Sequence, residues 1–303
     1  MDLNQLTVII ENPDTGAQYA GIATRRPRVD DYRKPISVGL SPHPDEYTRW
    51  FNAVDPGHAA FARVFAKPGT GLPSMTGQRI RSLPDGTLPW ISHKDHVPIS
   101  SLVAYWAGLK DRYAPPTGRQ LFWTPQHEHA PAGDAERRNY LAYLAEVAEA
   151  AKDSPWIRVV QIQSAYAMRW RGDETDWREW LLPNISLGFD TYPPQFGSGY
   201  EPVESSFGLL RYAAEAIGAP TWGVPELGAE VRRPGAAARA DWLVRAWMHL
   251  DEAGADFVGL WCSQEDRDGE HFDYRPTDTP TLQAFATMLT PPMPQPYAGF
   301  PAS

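Results

Sequence analysis

"RQLFWTPQHEHAPAGDAERRNYLAYLAEVAEAAKDSPWIRVVQIQSA", residues 119–165, decides the fold. Its opening, "RQLFWTPQHE" (119–128), is a short apolar and aromatic run that turns polar at its end, which reads as a buried strand. "DAERRNYLAYLAEVAEAAKD" (134–153) carries apolar residues at helical spacing, and Asp134 is expected to cap it. "IRVVQIQSA" (157–165) is a second β-branched, apolar run. Strand, helix and strand joined by short connections form a crossover unit, and such a unit makes its two strands parallel.

The same alternation extends in both directions. Strand-like runs fall at 36–42 ("ISVGLSP"), 61–69 ("FARVFAKPG"), 88–95 ("LPWISHKD"), 185–193 ("ISLGFDTYP"), 221–228 ("TWGVPELG") and 256–263 ("DFVGLWCS"). Amphipathic stretches at 207–218, 238–254 and 280–289 read as helices, the first ending in a C-capping glycine, Gly218. Eight strands alternating with helices predict a closed parallel (β/α)8 TIM barrel over residues 36–303. An open doubly wound sheet would favour a Gly-rich nucleotide turn, and the chain has neither GxGxxG nor GxxxxGK[ST]. Residues 1–35 form a separate β extension. There "LTVII" and "AQYAGIA" flank the turn-forming "ENPDTG", as in a hairpin, and a connecting segment follows. The Pro-rich tail "PPMPQPYAGFPAS" (291–303) reads as extended chain.

Composition narrows the function classes. A net charge of −9 and a pI near 5.4 argue against nucleic acid or an anionic membrane as the main partner. The basic "TRRPR" (24–28) is too short to reverse that. One cysteine, Cys262, excludes an internal disulfide framework. No apolar run is long enough to span a bilayer, and the first residues carry acids where a secretion signal would be basic and then apolar. A soluble chain is expected, with compartment and oligomeric state open. The 12 Trp and 13 Tyr are unusually many: most are expected in the core, and such a surplus can also provide flat faces for ligands.

Barrels of this kind collect their chemistry at the C-terminal ends of the strands. In chain order those ends offer His43; Arg63 and Lys67; His93, Lys94 and Asp95; His127 and Glu128; Asp190 and Tyr192; Glu226; and Trp261. Glu128 and Glu226, 98 residues apart, close the fourth and seventh strands and so face one mouth. Two carboxyl groups across a mouth suit glycoside hydrolysis: one protonates the departing oxygen, and the other attacks the anomeric carbon or activates water. An acid that keeps its proton near neutrality needs a partly dry setting, which Trp123 and nearby rings would provide. His93 is expected to line the cleft, and Asp190 to support the site from behind. Loops after strands two, three, six and eight, rich in Pro, Gly, Tyr and Trp, are expected to wall an open cleft.

Two other readings use some of the same residues. His93, His127, His129 and Asp190 are a possible ligand set for a metal-dependent amidohydrolase-type barrel, although the first strand offers only "LSPHP" where such enzymes place a His-x-His pair. In an extended "HEH" the two histidines point one way and Glu128 the other, so the segment supplies a metal pair or an inward acid. The other reading is a barrel that binds glycans without cutting them, with the N-terminal hairpin attaching it to a larger assembly. Ser or Cys nucleophile chemistry has no G-x-S-x-G elbow to support it.

The pattern of a Glu ending strand four, a Glu ending strand seven and a Trp ending strand eight resembles the retaining glycoside hydrolase clan built on the (β/α)8 barrel. Many members place Asn before the strand-four acid. The His127–Glu128 pair is instead similar to glycoside hydrolase family 26, the β-mannanase family, as is "GFDTYP" (188–193). The resemblance implies a retaining double displacement on an oligo- or polysaccharide, without cofactor or metal. It makes Glu128 the general acid/base and Glu226 the nucleophile. It also implies that Tyr192 positions Glu226, Arg63 keeps it ionised, His127 orients the substrate or Glu128, and Trp261 floors the cleavage subsite. By the same resemblance the substrate is β-linked, such as a mannan.

Overall fold

The computed structural model describes residues 5–11, 18–24, 36–42, 59–66, 68–113, 119–128, 133–165, 177–193, 195–196, 199–231, 235–267 and 270–289. His43, Lys67, His129, the "ENPDTG" turn residues after Glu11, the connecting segment from Arg25 and the Pro-rich tail lie outside them. Two compact units divide at Lys34/Pro35. In the first, β1 (Gln5–Glu11) and β2 (Gln18–Thr24) pair antiparallel from Gln5↔Thr24 to Glu11↔Gln18.

The second unit runs in chain order as follows. β3 (Ser37–Pro42), β4 (Phe61–Phe65), α1 (Gln78–Arg81) and β5 (Leu88–His93) come first. Then come α2 (Ile99–Tyr113), β6 (Leu121–Pro125), α3 (Asp134–Ala151), β7 (Ile157–Ser164) and β8 (Ser186–Asp190). A small antiparallel pair, β9 (Gln195–Phe196) with β10 (Gly199–Tyr200), precedes α4 (Val203–Ala216), β11 (Trp222–Leu227) and α5 (Gly235–Ala253). β12 (Phe257–Cys262) is followed by the hairpin β13 (Gln264–Arg267) and β14 (Glu270–Asp273), and then by α6 (Thr279–Leu289). Strands β3 to β8, β11 and β12 close a parallel barrel in chain order, β12 pairing back onto β3. The barrel expected from the alternation is the one observed. No helix among the described residues is long and apolar enough to cross a membrane.

Period-two alternation explains the interior. Phe61, Trp90, Phe122, Val160, Ile162 and Phe257 point inward and fill the barrel, with Trp90 and Phe122 centroids 4.5 Å apart. Rings of this size leave no room opposite them. A Cβ on Gly39 would lie 2.4 Å from the Phe61 ring, and one on Gly223 2.6 Å from the Phe257 ring. Outward-facing Leu, Val and Trp side chains pack under the helices instead.

Three local expectations change. Asp134 is the first residue of α3 rather than its cap: extended Gly133 precedes it, and the Asp134 carboxylate pairs with Arg137 at 3.2 Å. The long loop expected after the third strand is largely α2, whose Leu102, Trp106 and Leu109 recur at helical spacing and are buried. "HEH" is not extended at its centre, because Gln126 (φ 48) and Glu128 (φ 50) sit in the left-handed region. That conformation costs a non-glycine residue about 1–3 kcal/mol. The Glu128 amide donates to the Ile162 carbonyl at 3.1 Å, which ties the turn to the neighbouring strand.

Candidate active site

Glu226 owes its placement to a proline. Pro225 has no amide hydrogen to give to a ladder, and prolines in sheets collect at edges and bulges. Accordingly β11 and β12 lose register here: Val224 pairs with Val258, but Leu227 pairs with Leu260, so β11 carries one extra residue. A bulge re-aims the side chains around it. The Glu226 carboxylate, 6 % exposed, reaches Arg63 of β4, with Oε1 2.5 Å from Nη1. The Tyr192 hydroxyl donates to its other oxygen, Oε2. The ends of β8 and β11 are held in step by the Thr191 amide donating to the Glu226 carbonyl (2.7 Å) and the Gly228 amide donating to the Thr191 carbonyl (3.2 Å). Glycine at 228 is required sterically, since a Cβ there would lie 2.8 Å from the Tyr192 ring and 3.0 Å from Tyr274.

Arg63 is fully buried. Nε donates to Ser92 Oγ (2.9 Å), Nη1 also lies 3.2 and 3.4 Å from the Asp190 oxygens, and the guanidinium carbon sits 4.7 Å from the Phe65 ring centroid. Burial alone would lower the Arg63 pKa, but the charges of Asp190, Glu226, Glu128 and Tyr192 together raise it, so the guanidinium stays cationic. Asp190 is also buried. Desolvation drives its carboxyl well above the usual carboxylate range against the pull of Arg63, and the charges of Glu226 and Glu128 push it further. One cation thus serves two adjacent carboxyl groups, and Asp190 is the one that burial favours in protonated form. Because Glu128 acts electrostatically on both Arg63 and Asp190, it belongs to the same field as Glu226.

The rim is aromatic. His127 meets the edge of Phe65 at 5.5 Å, Phe65 meets Trp261 at 5.9 Å, and Trp261 meets Tyr192 at 6.4 Å. Desolvation, with the charges of Arg63 and Lys94, holds the His127 pKa well below the ordinary histidine value, so its imidazole is neutral near pH 7. His127 Nδ1 and Trp261 Nε1 are buried atoms without a hydrogen-bond partner. Of the residues singled out from sequence, Arg63, His127, Glu128, Asp190, Tyr192, Glu226 and Trp261 therefore gather at one end of the barrel.

Two do not. Trp123 points outward into the layer under α2, buried against Trp106 (5.6 Å) and Tyr105 (5.7 Å). His93 lies beside it (5.3 Å), with Nδ1 2.9 Å from the Asp95 carbonyl and its pKa lowered by burial to about 4. Both alternate out of phase with the inward residues Trp90, Ser92, Phe122 and Thr124, and both are core. His93 and the Arg63-bound Asp190 do not converge as metal ligands, and no group of three or more His, Cys, Asp or Glu among the described residues is placed to hold an ion. Phe65, Ser92 and Tyr274 were missed from sequence. Phe65 and Ser92 follow inward residues by two, the only signal they carried.

A (β/α)8 barrel with two glutamates, an arginine and a rim of rings at its C-terminal end is the class that fold and geometry define. No protein-family model matches the chain, and no curated protein matches it either. Solved structures do match. A family 39 glycoside hydrolase from the gut symbiont Bacteroides cellulosilyticus WH2 is 15% identical over 94% of this chain and 70% of that one, with a TM-score of 0.52. XacCel5A in complex with cellopentaose is 10% identical over 84% of this chain and 99% of its own, with a TM-score of 0.55. The hyperthermostable endo-1,4-β-D-mannanase of Thermotoga petrophila RKU-1, with maltose and glycerol, is 13% identical over 84% and 99%, with a TM-score of 0.50. At these identities the likeness is one of fold.

Proposed function

We propose that this protein is a retaining glycoside hydrolase acting on an oligo- or polysaccharide. The observation that carries the reading is the Glu226 carboxylate, gripped on one oxygen by Arg63 and on the other by Tyr192, at the mouth that also receives Glu128. A carboxylate held in place by two donors, one cationic, is an oriented nucleophile. Glu226 attacks the anomeric carbon while Glu128 protonates the departing oxygen. Glu128 then takes a proton from water as that water displaces Glu226 from the sugar. Retention calls for carboxyl groups about 5–5.5 Å apart. Tyr192 and Arg63 loosen their hold as charge leaves Glu226 in the first step and restore it in the second.

Neutral His127 orients a sugar hydroxyl or Glu128 by hydrogen bonding, and Trp261 presents its ring and its Nε1–H to the sugar at the cleavage point. A hydroxyl-rich ligand suits atoms that have no protein partner. The His127–Glu128 pair and the "GFDTYP" segment support family 26 in particular, and with it a β-linked mannan. That three fold relatives are a family 39 glycoside hydrolase, a protein complexed with cellopentaose and a mannanase supports a carbohydrate substrate. Release of reducing ends from a broad polysaccharide panel, with the Glu226→Ala protein as blank, tests the reading. Equal release by both proteins, or by neither, overturns it.

A further inference from the structure

The aromatic rim does not stop at the proposed cleavage point. From Tyr192, whose hydroxyl holds Glu226, the rings continue to Tyr274 (centroids 5.1 Å, planes 52° apart) and from Tyr274 to Phe272 (6.4 Å, planes 8° apart). Tyr274 is buried, whereas Phe272 is half-buried. Phe272 lies on β14, paired across the hairpin with Glu265 of β13, so it projects from the loop that follows the eighth barrel strand.

This hairpin is anchored. Arg239 of α5, fully buried, donates to the carbonyls of Asp273 (3.4 Å) and Arg275 (3.1 Å), to Thr281 Oγ1 (2.9 Å) and to the Asp278 carboxylate. Asp273 in turn accepts from the Arg275 guanidinium (2.7 Å), and the Tyr274 amide donates to the Ser263 carbonyl (2.9 Å). A buried cation spent on the carbonyls flanking Tyr274 fixes the backbone that carries Phe272. A half-buried aromatic residue on fixed backbone, continuous with the rings at the proposed nucleophile, is preorganised to receive a flat, weakly apolar face.

We propose that Phe272 is a stacking platform for a sugar unit beyond the cleavage subsite, and that the substrate is a chain long enough to reach it from Glu226. The inference rests on the hydrolase reading for its direction along the cleft. A pyranose ring has an apolar C–H face that lies against an aromatic ring and a hydroxyl edge that stays wet, so each added unit reaching Phe272 adds affinity.

Binding of β-1,4-linked gluco- and manno-oligosaccharides, from disaccharide to hexasaccharide, to the full chain carrying Glu226→Ala tests it without turnover. The parent is expected to bind one of the two ladders with affinity rising roughly tenfold at the length that reaches Phe272. Adding Phe272→Ala is expected to flatten that step, and Phe272→Trp to keep it at an unchanged melting temperature. A parent with no step in either ladder, a step that survives Phe272→Ala, or a step lost equally in Phe272→Trp overturns the platform. Failure of the hydrolase reading itself shows elsewhere, as full activity in the Glu226→Ala protein.

Discussion

Arg63 and Glu226, 163 positions apart in the chain, meet with Nη1 and Oε1 2.5 Å apart inside the barrel mouth. Arg63 faces inward by the simple alternation of β4, whereas Glu226 faces inward because Pro225 breaks the β11 ladder. A regular and an irregular strand thus converge on one ion pair, and Asp190 supplies a second carboxyl group to the same cation.

If Glu226 is the nucleophile, Glu226→Ala lowers kcat by at least about a thousandfold, and azide or formate restores part of it by entering the vacated space. Arg63 keeps Asp190 as a partner, so the melting temperature changes little. Initial rates with and without azide check this, and full residual activity removes the assignment.

Glu128→Gln keeps the shape and removes the proton. Activity on substrates with poor leaving groups should fall far more than activity on activated aryl glycosides, which depart without protonation. Rates across a leaving-group series check it, and equal losses argue against acid catalysis by Glu128.

Arg63→Met leaves two buried carboxyl groups facing each other without a cation. Breaking a buried ion pair by removing one partner costs about 3–5 kcal/mol, and urea denaturation should show a loss of that order. Adding Asp190→Asn should change this loss little, because burial already favours the protonated, uncharged form of Asp190. A large recovery in the double variant contradicts that description.

His93 gives a pH dependence of stability. Its folded-state pKa of about 4 lies below the ordinary histidine value of 6.5. Its contribution is therefore full above pH 6.5 and is lost as pH falls from 6.5 towards 4, by an amount on the order of 3 kcal/mol. His93→Phe keeps a ring against Trp123 without titrating, so its unfolding free energy should fall less than that of the unaltered protein between pH 7 and pH 4.5. Parallel curves contradict the account.

Much of this was legible in the chain. The eight barrel strands follow from apolar runs of strand length between amphipathic stretches, and the strand-end glutamates from polar residues closing those runs. Trp123 and His93 were misplaced because facing is set by a phase of one residue: either could point in or out until Trp90, Ser92 and Phe122 fix the inward set. "VPEL" did contain the bulge signal, a proline inside a buried strand. The turn that presents Glu128 carried none, because Gln126 and Glu128 adopt left-handed backbone without a glycine to announce it. The hold of Arg239 on the Asp273 and Arg275 carbonyls is a tertiary contact, which no local pattern encodes.

The most direct measurement is covalent trapping. Incubation with a panel of 2-deoxy-2-fluoro glycosyl fluorides, followed by intact and peptide mass analysis, should show a single glycosyl adduct on Glu226 that is absent from the Glu226→Ala protein. An adduct on another residue, or turnover of a natural substrate that releases the inverted anomer, contradicts it.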